Sequence, residues 1–226
     1  MTIETETIAQ HAHRVALALT RKPKKERLQA IVRDLYAGEM TDAERLDSLA
    51  LLYTHFMPAA PAKPKTLAQW IARAAGKKDV RYYINYVYAD HAAQRLVATD
   101  GHRLHLMPLP AQGFDKAGFY CPTTLEYLHD EEFANFPDVD RIIPDRATCE
   151  TSPVNPAAWE VGEAANGTVY YKTPYGALNK QYVDAVLAAP GVEFEYIYAK
   201  EAGNSAVCFA GDAPGVLALV MPIKID

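Results

Sequence analysis

Alternating apolar and polar positions run through residues 79–108 and predict three consecutive β-strands. The first, Arg81–Ala89, is rich in tyrosine, valine and isoleucine, which favour strands. The second and third, Gln94–Thr99 and His102–Pro108, flank the dipeptide Asp100-Gly101. An Asp-Gly pair between alternating apolar runs is a strong hairpin signal, because both central turn residues need positive φ. The pattern therefore predicts a three-stranded antiparallel meander.

Residues 1–57 have the spacing of amphipathic helices instead. Two apolar stripes lie on either side of a basic cluster at residues 21–25. A third stripe begins at Thr41, where Glu44 completes a capping box three residues later. The pattern predicts a small all-α N-terminal module, followed by a linker of proline, alanine and lysine over residues 58–65.

Residues 66–226 repeat one order of elements. A helix at Thr66–Gly76 precedes the three strands above, and a helix at Asn179–Ala189 precedes three further strand-like runs. These further runs are Val192–Ala199, Ser205–Ala210 and Val216–Ile225. Because corresponding elements recur at one spacing, we predict an α+β fold of two helix-plus-antiparallel-sheet halves, with an insertion at about residues 110–177.

The insertion carries weaker signals. Gly118–Cys121 reads as a short strand, and Asn166-Gly167 predicts a hairpin. Phe136–Pro144 is a segment bounded by prolines.

Composition narrows the class of protein. Half of the 226 residues are hydrophobic, as in globular domains, and no apolar run is long enough to span a membrane. The N-terminus lacks a basic-then-apolar signal pattern, so we expect a cytoplasmic protein without membrane contact. Three cysteines without metal-type spacing, Cys121, Cys149 and Cys208, are expected to be reduced thiols.

Charge is distributed unevenly. Residues 58–110 hold eight basic and three acidic side chains, whereas residues 111–226 hold seven and seventeen. A basic segment on an acidic body suits a protein that meets a polyanion on one face. Ordinary scatter of surface charge is the alternative explanation.

Signals for an enzyme are weak. No glycine-rich phosphate loop, metal-ligand spacing or nucleophile elbow appears. Asp100, His102 and His105 are close in sequence, but the turn explains the aspartate and strand alternation places the two histidines on opposite faces. Cys121 or Cys149 with a distant histidine remains the enzymatic alternative. We expect a non-enzymatic binding protein that uses no metal or cofactor.

Four motifs resemble the bacterial DNA polymerase III beta subunit, the sliding-clamp family, and occur in that family's order. They are DVRYY at residues 79–83, ATDGHRL at residues 98–104, FPDVDRIIP at residues 136–144 and VLALVMPIKI at residues 216–225. The first two resemble the family's middle domain, the third its connector to the last domain, and the fourth its C-terminal strand. Because clamp domains consist of two helix-plus-sheet halves, the resemblance implies a clamp-like domain over residues 66–226.

In that family these segments form an apolar groove that captures short peptide motifs of polymerases and other replication proteins. The resemblance implies groove residues Ile84, Thr99, Gly101, His102, Arg103, Leu104, Pro137, Arg141, Ile142, Val220 and Met221. A role in the core or in a turn is the alternative for each. The family's DNA-facing loop implies contacts from Arg73, Lys77, Lys78, Arg81, Tyr82 and Tyr83.

The resemblance implies a processivity factor: a homo-oligomer that surrounds double-stranded DNA without sequence preference and tethers a DNA polymerase or another replication protein. A beta clamp protomer has three domains, whereas this chain has one recognisable clamp domain and a helical module. That architecture resembles a diverged, shortened, phage-type clamp. The alternative is a clamp-like adaptor or decoy that keeps the groove without encircling DNA.

Overall fold

A computed structural model describes residues 41, 44–45, 48–49, 62–129 and 136–225. The chain divides into two compact units, Met1–Ala62 and Lys63–Asp226. In the first unit the predicted capping box is confirmed. The Thr41 N–H and Oγ1 donate to Glu44 Oε2 over 2.9 and 2.7 Å, and the Glu44 N–H donates to Thr41 Oγ1 over 3.3 Å. The two helical stripes predicted before Thr41 lie outside the described residues.

The second unit contains thirteen strands in its described part. They are β1 (Val87–Asp90), β2 (Arg95–Thr99), β3 (Arg103–Pro108), β4 (Gly118–Tyr120), β5 (Tyr127–His129), β6 (Thr151–Pro153), β7 (Glu160–Glu163), β8 (Val169–Thr173), β9 (Gly176–Asn179), β10 (Phe194–Tyr198), β11 (Val207–Gly211), β12 (Leu217–Val220) and β13 (Pro222–Ile223). The larger sheet has the order β5-β4-β1-β2-β3-β12-β11-β10-β6, and the smaller sheet has the order β13-β9-β8-β7.

Two α-helices begin within one residue of the predicted starts, Thr66 and Asn179. Helix α1 is Leu67–Ala72, and Thr66 Oγ1 accepts a hydrogen bond from the Gln69 N–H over 3.2 Å. Helix α2 is Lys180–Leu187, and Asn179 Oδ1 accepts from the Gln181 N–H over 2.9 Å. Four short 3₁₀ helices complete the described secondary structure of this unit: Tyr82–Asn85, Val139–Ile142, Arg146–Thr148 and Pro156–Ala158.

The larger sheet joins two antiparallel meanders, β1–β2–β3 and β10–β11–β12. They meet where β3 pairs with β12, with Leu104 opposite Leu219. Residues 110–177 supply β4 beside β1, β6 beside β10, and most of the smaller sheet. The segment predicted as an insertion therefore extends both meanders.

Each face of the larger sheet carries its own apolar cluster. Both helices cover one face, where Trp70 Nε1 donates to the carbonyls of Ala185 and Val186, each over 3.0 Å. We call this the helix face. Side chains of the opposite parity cover the other face, together with Val139 from the segment 136–144. We call this the connector face, and we call residues 136–144 the connector.

The predicted strand Arg81–Ala89 is wrong in its first half. Tyr82–Asn85 forms a 3₁₀ helix, and β1 begins only at Val87. The Asn85 side chain bonds the backbone of Asp79 at both its N–H and its C=O, each over 2.9 Å. Such local hydrogen bonds from asparagine compete with strand pairing. In a continuous strand, alternation would turn either Tyr82 or Tyr83 inward, but here Tyr82 is exposed and Tyr83 is half-buried.

The predicted strand Val216–Ile225 is divided between the two sheets. Strand β12 ends at Val220, and β13 pairs with β9 in the smaller sheet. Pro222 lacks the N–H that a central strand would need, which favours the break at Met221. The predicted strand at Gly118–Cys121 is confirmed as β4, and the Asn166-Gly167 hairpin as the turn between β7 and β8.

Candidate functional site

The turn between β2 and β3 is held by Asp100. Its Oδ1 accepts from the N–H groups of His102 and Arg103 over 2.9 and 3.0 Å, and its Oδ2 accepts from Arg103 Nε over 3.0 Å. The hairpin prediction is confirmed, but its turn type is wrong because only Gly101 has positive φ, at 87°. The aspartate side chain closes the turn by bonding the backbone two and three residues ahead.

This turn lies against the end of β12. The Met221 N–H donates to the His102 carbonyl over 2.8 Å, and Val220 pairs with Arg103. Two of the four motifs, far apart in sequence, are therefore in direct contact.

The predicted groove residues divide between the two sheet faces. Thr99, Leu104 and Met221 lie on the connector face, where Leu104 and Met221 join the apolar cluster that includes Val139. Arg103 lies on the helix face, where its guanidinium carbon is 4.5 Å from the centre of the Tyr182 ring. Val220 also packs into the cluster beneath the helices. Strand alternation imposes this division between Arg103 and Leu104, which are neighbours in sequence.

The predicted groove residues also differ in how far their side chains are buried. The side chains of Ile84, Leu104 and Val220 are at most 2% exposed and therefore belong to the core, and Thr99 is also buried. Met221 is half-buried. The exposed members are Gly101, His102, Pro137, Arg141 and Ile142.

The connector is fastened to β1 and β2. The Phe136 ring stacks on Tyr88 with centres 4.9 Å apart, and Val139 is buried. The Asp140 carboxylate accepts two hydrogen bonds from Arg95, over 2.5 and 3.0 Å. These bonds lower the pKa of Asp140 and raise that of Arg95. The connector thus reaches the same sheet face as Met221, with Arg141 and Ile142 open to solvent.

The predicted DNA-facing loop lies beside the turn. Lys77 and Lys78 are exposed, and the Asp79 carboxylate holds Arg81 through Nε and Nη2, each over 3.0 Å. The bond to the Arg81 side chain is the main cause that lowers the pKa of Asp79 to about 2. A β-carbon on Gly101 would lie 3.1 Å from Arg81 Nη2, so the guanidinium packs directly on the turn.

Arg73, the sixth predicted DNA contact, follows α1 on the helix face and is half-buried. Burial, and secondarily the charge of Arg103, lowers its pKa. Arg103 therefore interacts with this DNA-facing candidate on the helix face, whereas the connector lies on the other face. The contact between Tyr182 of α2 and Arg103 of β3 was not predicted from the sequence, because no local pattern shows that these two elements meet.

His105 is enclosed completely. It stacks on Trp70 with ring centres 4.2 Å apart, Nδ1 lies 2.9 Å from the Trp70 carbonyl, and Nε2 is buried without a hydrogen-bond partner. Burial is the main cause that lowers its pKa to about 3. Because His102 lies exposed on the turn, the structure does not assemble Asp100, His102 and His105 into a reacting group.

Within residues 62–129 and 136–225 no cluster of three histidine, cysteine or acidic side chains has a metal-binding arrangement. Cys121, Cys149 and Cys208 are free. In the described part of the chain, no helix has both the length and the apolar character to cross a membrane.

No protein-family model matches the chain, and no curated protein matches it. Among solved structures, the chain is similar to the DNA polymerase III beta subunit of Thermotoga maritima, with a TM-score of 0.48 and 17% identity over 76% of this chain and 69% of that one. It is similar to the Caulobacter crescentus beta sliding clamp, with a TM-score of 0.47 and 19% identity over 70% and 63% of the two chains. A third is the Bartonella birtlesii sliding clamp bound to griselimycin, with a TM-score of 0.48 and 16% identity over 76% and 69%. The alignments thus cover between 63% and 69% of those proteins.

Proposed function

We propose that this chain is a clamp-like processivity factor that binds double-stranded DNA without sequence preference and captures peptide motifs of a DNA polymerase or another replication protein. In this role it acts as a homo-oligomer and catalyses no reaction. The resemblance of its four motifs to sliding clamps supports the proposal, and so does the way in which those motifs meet.

The hydrogen bond from the Met221 N–H to the His102 carbonyl, 2.8 Å long, is the observation that carries the proposal. The two residues belong to motifs identified separately in the sequence, one in a hairpin turn and one near the end of the chain. The connector motif lies on the same sheet face as Met221. Two motifs thus meet at the end of β12, and a third lies on the same sheet face as Met221.

The chemistry of this place suits an apolar peptide. Met221 is flexible and half-buried, and Ile142 of the connector is 47% exposed. Methionine and branched aliphatic side chains make adaptable apolar contacts. His102 and Arg141 add exposed polar groups that hydrogen-bond a peptide backbone. We assign peptide capture to these exposed side chains, with buried Leu104 as the floor beneath them.

The DNA contact is assigned to the loop before β1. Lys77 and Lys78 are exposed, and Tyr82 is 39% exposed. Lysines attract phosphates whatever the base sequence, and tyrosine offers a face for stacking. Arg81 is tied to Asp79 and to the turn, so we assign it the role of holding the loop in place.

The second candidate function is the clamp-like adaptor, which uses the peptide surface without surrounding DNA. The acidic composition of residues 111–226 is compatible with both candidates, because a ring needs basic groups only on its inner surface. Assembly state separates them, because one clamp-like domain can surround DNA only within a closed oligomer.

The test of peptide capture is the double substitution Met221→Ala with His102→Ala. We expect at least a tenfold loss of affinity for a polymerase-derived clamp-binding peptide, because the double variant loses apolar contact area and one polar contact. Fluorescence anisotropy with a labelled peptide measures it. Leu128→Ala, which shortens another exposed apolar side chain, is the matched control and should bind normally. Wild-type affinity in the double variant removes the assignment, and His102→Ala alone separates lost binding from any loss of stability.

A further inference from the structure

Val80 is the most exposed large apolar side chain in the described part of the chain, at 95%. It lies in the loop before β1, between Asp79 and Arg81, which form an ion pair, and Lys77 and Lys78 precede this pair. Single exposed apolar residues are common and by themselves say little. The hydrogen bonds of its loop and the charged residues nearby distinguish Val80 from other exposed apolar residues.

The loop holds Val80 in a defined position. The Asn85 side chain bonds Asp79 on both sides of its backbone unit, and the Gly76 N–H donates to the Ile84 carbonyl over 2.8 Å. Lys78 has a φ of 58°, a conformation that costs free energy for any residue other than glycine. The strained Lys78 and these hydrogen bonds thus hold in place a short loop in which Val80 is highly exposed.

Val161 provides a comparison within the same unit. It is also exposed, at 54%, but Glu160 and Glu163 flank it on β7. Around Val161, Glu160 is paired with Lys172, and Glu163 remains to repel a polyanion. Around Val80, the one carboxylate, Asp79, is paired with Arg81, and Lys77 and Lys78 remain to attract a polyanion. Charge therefore makes DNA the fitting partner for Val80 and an unfitting one for Val161.

We infer that Val80 is an apolar wedge that contacts DNA bases where the base stack is interrupted, as at a nick or at a junction of single and double strand. This inference rests on the proposed DNA contact and adds to it a residue and a preferred DNA structure. Lys77 and Lys78 hold the phosphates, and the valine enters the gap between base pairs. An aliphatic wedge that enters a continuous duplex must unstack base pairs, and this free-energy cost offsets part of the stabilisation from its burial. The cost is smallest where stacking is already broken.

Preorganisation makes a single valine effective. Because the loop is already braced, little conformational entropy is lost when Val80 is buried against bases. The phosphate contacts and the wedge contribute separately, since the first depends on salt and the second on buried apolar area. A salt series on two DNA substrates therefore distinguishes them.

The experiment uses the full chain and measures fluorescence anisotropy with an intact duplex and with the same duplex carrying one nick. We expect the wild-type chain to prefer the nicked duplex. Val80→Thr keeps the shape and β-branching of valine, and we expect it to reduce that preference about fivefold through lost apolar burial. Its slope of log affinity against log salt should equal that of the wild type, because no phosphate contact is removed. Val161→Thr is the matched control and should change neither quantity.

Other outcomes are equally decisive. Lys77→Glu with Lys78→Glu should weaken both substrates alike and reduce the salt slope. If Val80→Thr keeps the full preference for nicked DNA, the wedge is wrong while the DNA contact stands. If the wild-type chain binds neither duplex, the DNA part of the proposed function fails first. If Val80→Thr instead weakens binding only to vesicles containing phosphatidylserine, the tip contacts lipid and the inference is overturned.

Discussion

His105 shows how the burial of one side chain makes the whole unit sensitive to acid. An ordinary histidine has a pKa of 6.5, and burial lowers that of His105 to about 3. Between these values the unfolded chain takes up a proton that the folded chain excludes, so stability falls as pH decreases below 6.5. Neutral His105 donates from Nδ1 to the Trp70 carbonyl, and the Arg73 N–H donates to the same carbonyl over 3.2 Å.

We expect His105→Phe to reduce the pH dependence of stability. Phenylalanine keeps the stacking on Trp70, removes the unpartnered Nε2, and leaves the Trp70 carbonyl its bond from Arg73. The wild type should lose about 2 kcal/mol of unfolding free energy between pH 7 and pH 5 through this histidine, and the variant should lose none of that amount. Urea unfolding at the two pH values measures it. His102→Gln, at an exposed histidine, is the control with wild-type behaviour, and equal pH dependence in His105→Phe would refute the argument.

Among single residues, the apolar pattern identified buried positions better than functional ones. Trp70, Ile71 and Ala74, spaced for one helix face, are all buried. The resemblance grouped Arg103 with Leu104, yet consecutive strand residues point to opposite faces, and the structure separates them. Val80 was not predicted as a contact residue, because an exposed residue in a loop leaves no periodic signal in the sequence.

Helices and hairpins were predictable because their signals are local. Thr66 and Asn179 are side-chain caps that specify helix starts within a few residues. The 3₁₀ helix at Tyr82–Asn85 was not predicted, because its tyrosines favour strands. The two hydrogen bonds that Asn85 makes to Asp79 are not visible in the apolar pattern. The conformation depends on hydrogen bonds between residues six positions apart, and the alternation of apolar and polar residues gives no signal for such bonds.

The connector is an element whose attachment can be tested. Arg95 is 16% exposed and holds Asp140 with two hydrogen bonds. Asp140→Ala therefore leaves a largely buried guanidinium that keeps its ion pair with Asp90. We expect a loss of about 1 kcal/mol in the free energy of unfolding, reduced from the value of a buried pair because Asp140 itself is 63% exposed. Chemical denaturation measures it.

Acid should remove the same contribution. Arg95 lowers the pKa of Asp140 below its ordinary 3.8, so the stabilisation is present above that pH and is lost as pH falls through the lowered value. Lys172→Ala breaks an ion pair whose two side chains are 65% and 74% exposed, and it serves as the control with almost no effect. An equally small effect of Asp140→Ala would show that Phe136 and Val139 alone hold the connector.

At the scale of the molecule, local patterns indicated two groups of three strands but not how the two groups pair with each other. The recurrence of helix and three strands appears in the sequence, whereas the pairing of β3 with β12 joins segments more distant than any local signal reaches. Residues 110–177 looked like an insertion because their strands are short and separated by turns. Their places beside β1 and β10 follow from unpaired strand edges, which favour the addition of further strands.

Assembly is the property of the whole molecule that separates the two proposed functions. One clamp-like domain can surround DNA only as part of a closed oligomer, so the processivity role predicts a discrete species several times the 25.0 kDa of one chain. Light scattering with and without a short duplex measures it. We expect the duplex to join the oligomer without changing the number of chains, and Lys77→Glu with Lys78→Glu to keep the oligomer while losing the duplex. A monomer or simple dimer that ignores DNA, yet still binds the peptide, would exclude the ring and establish the adaptor instead.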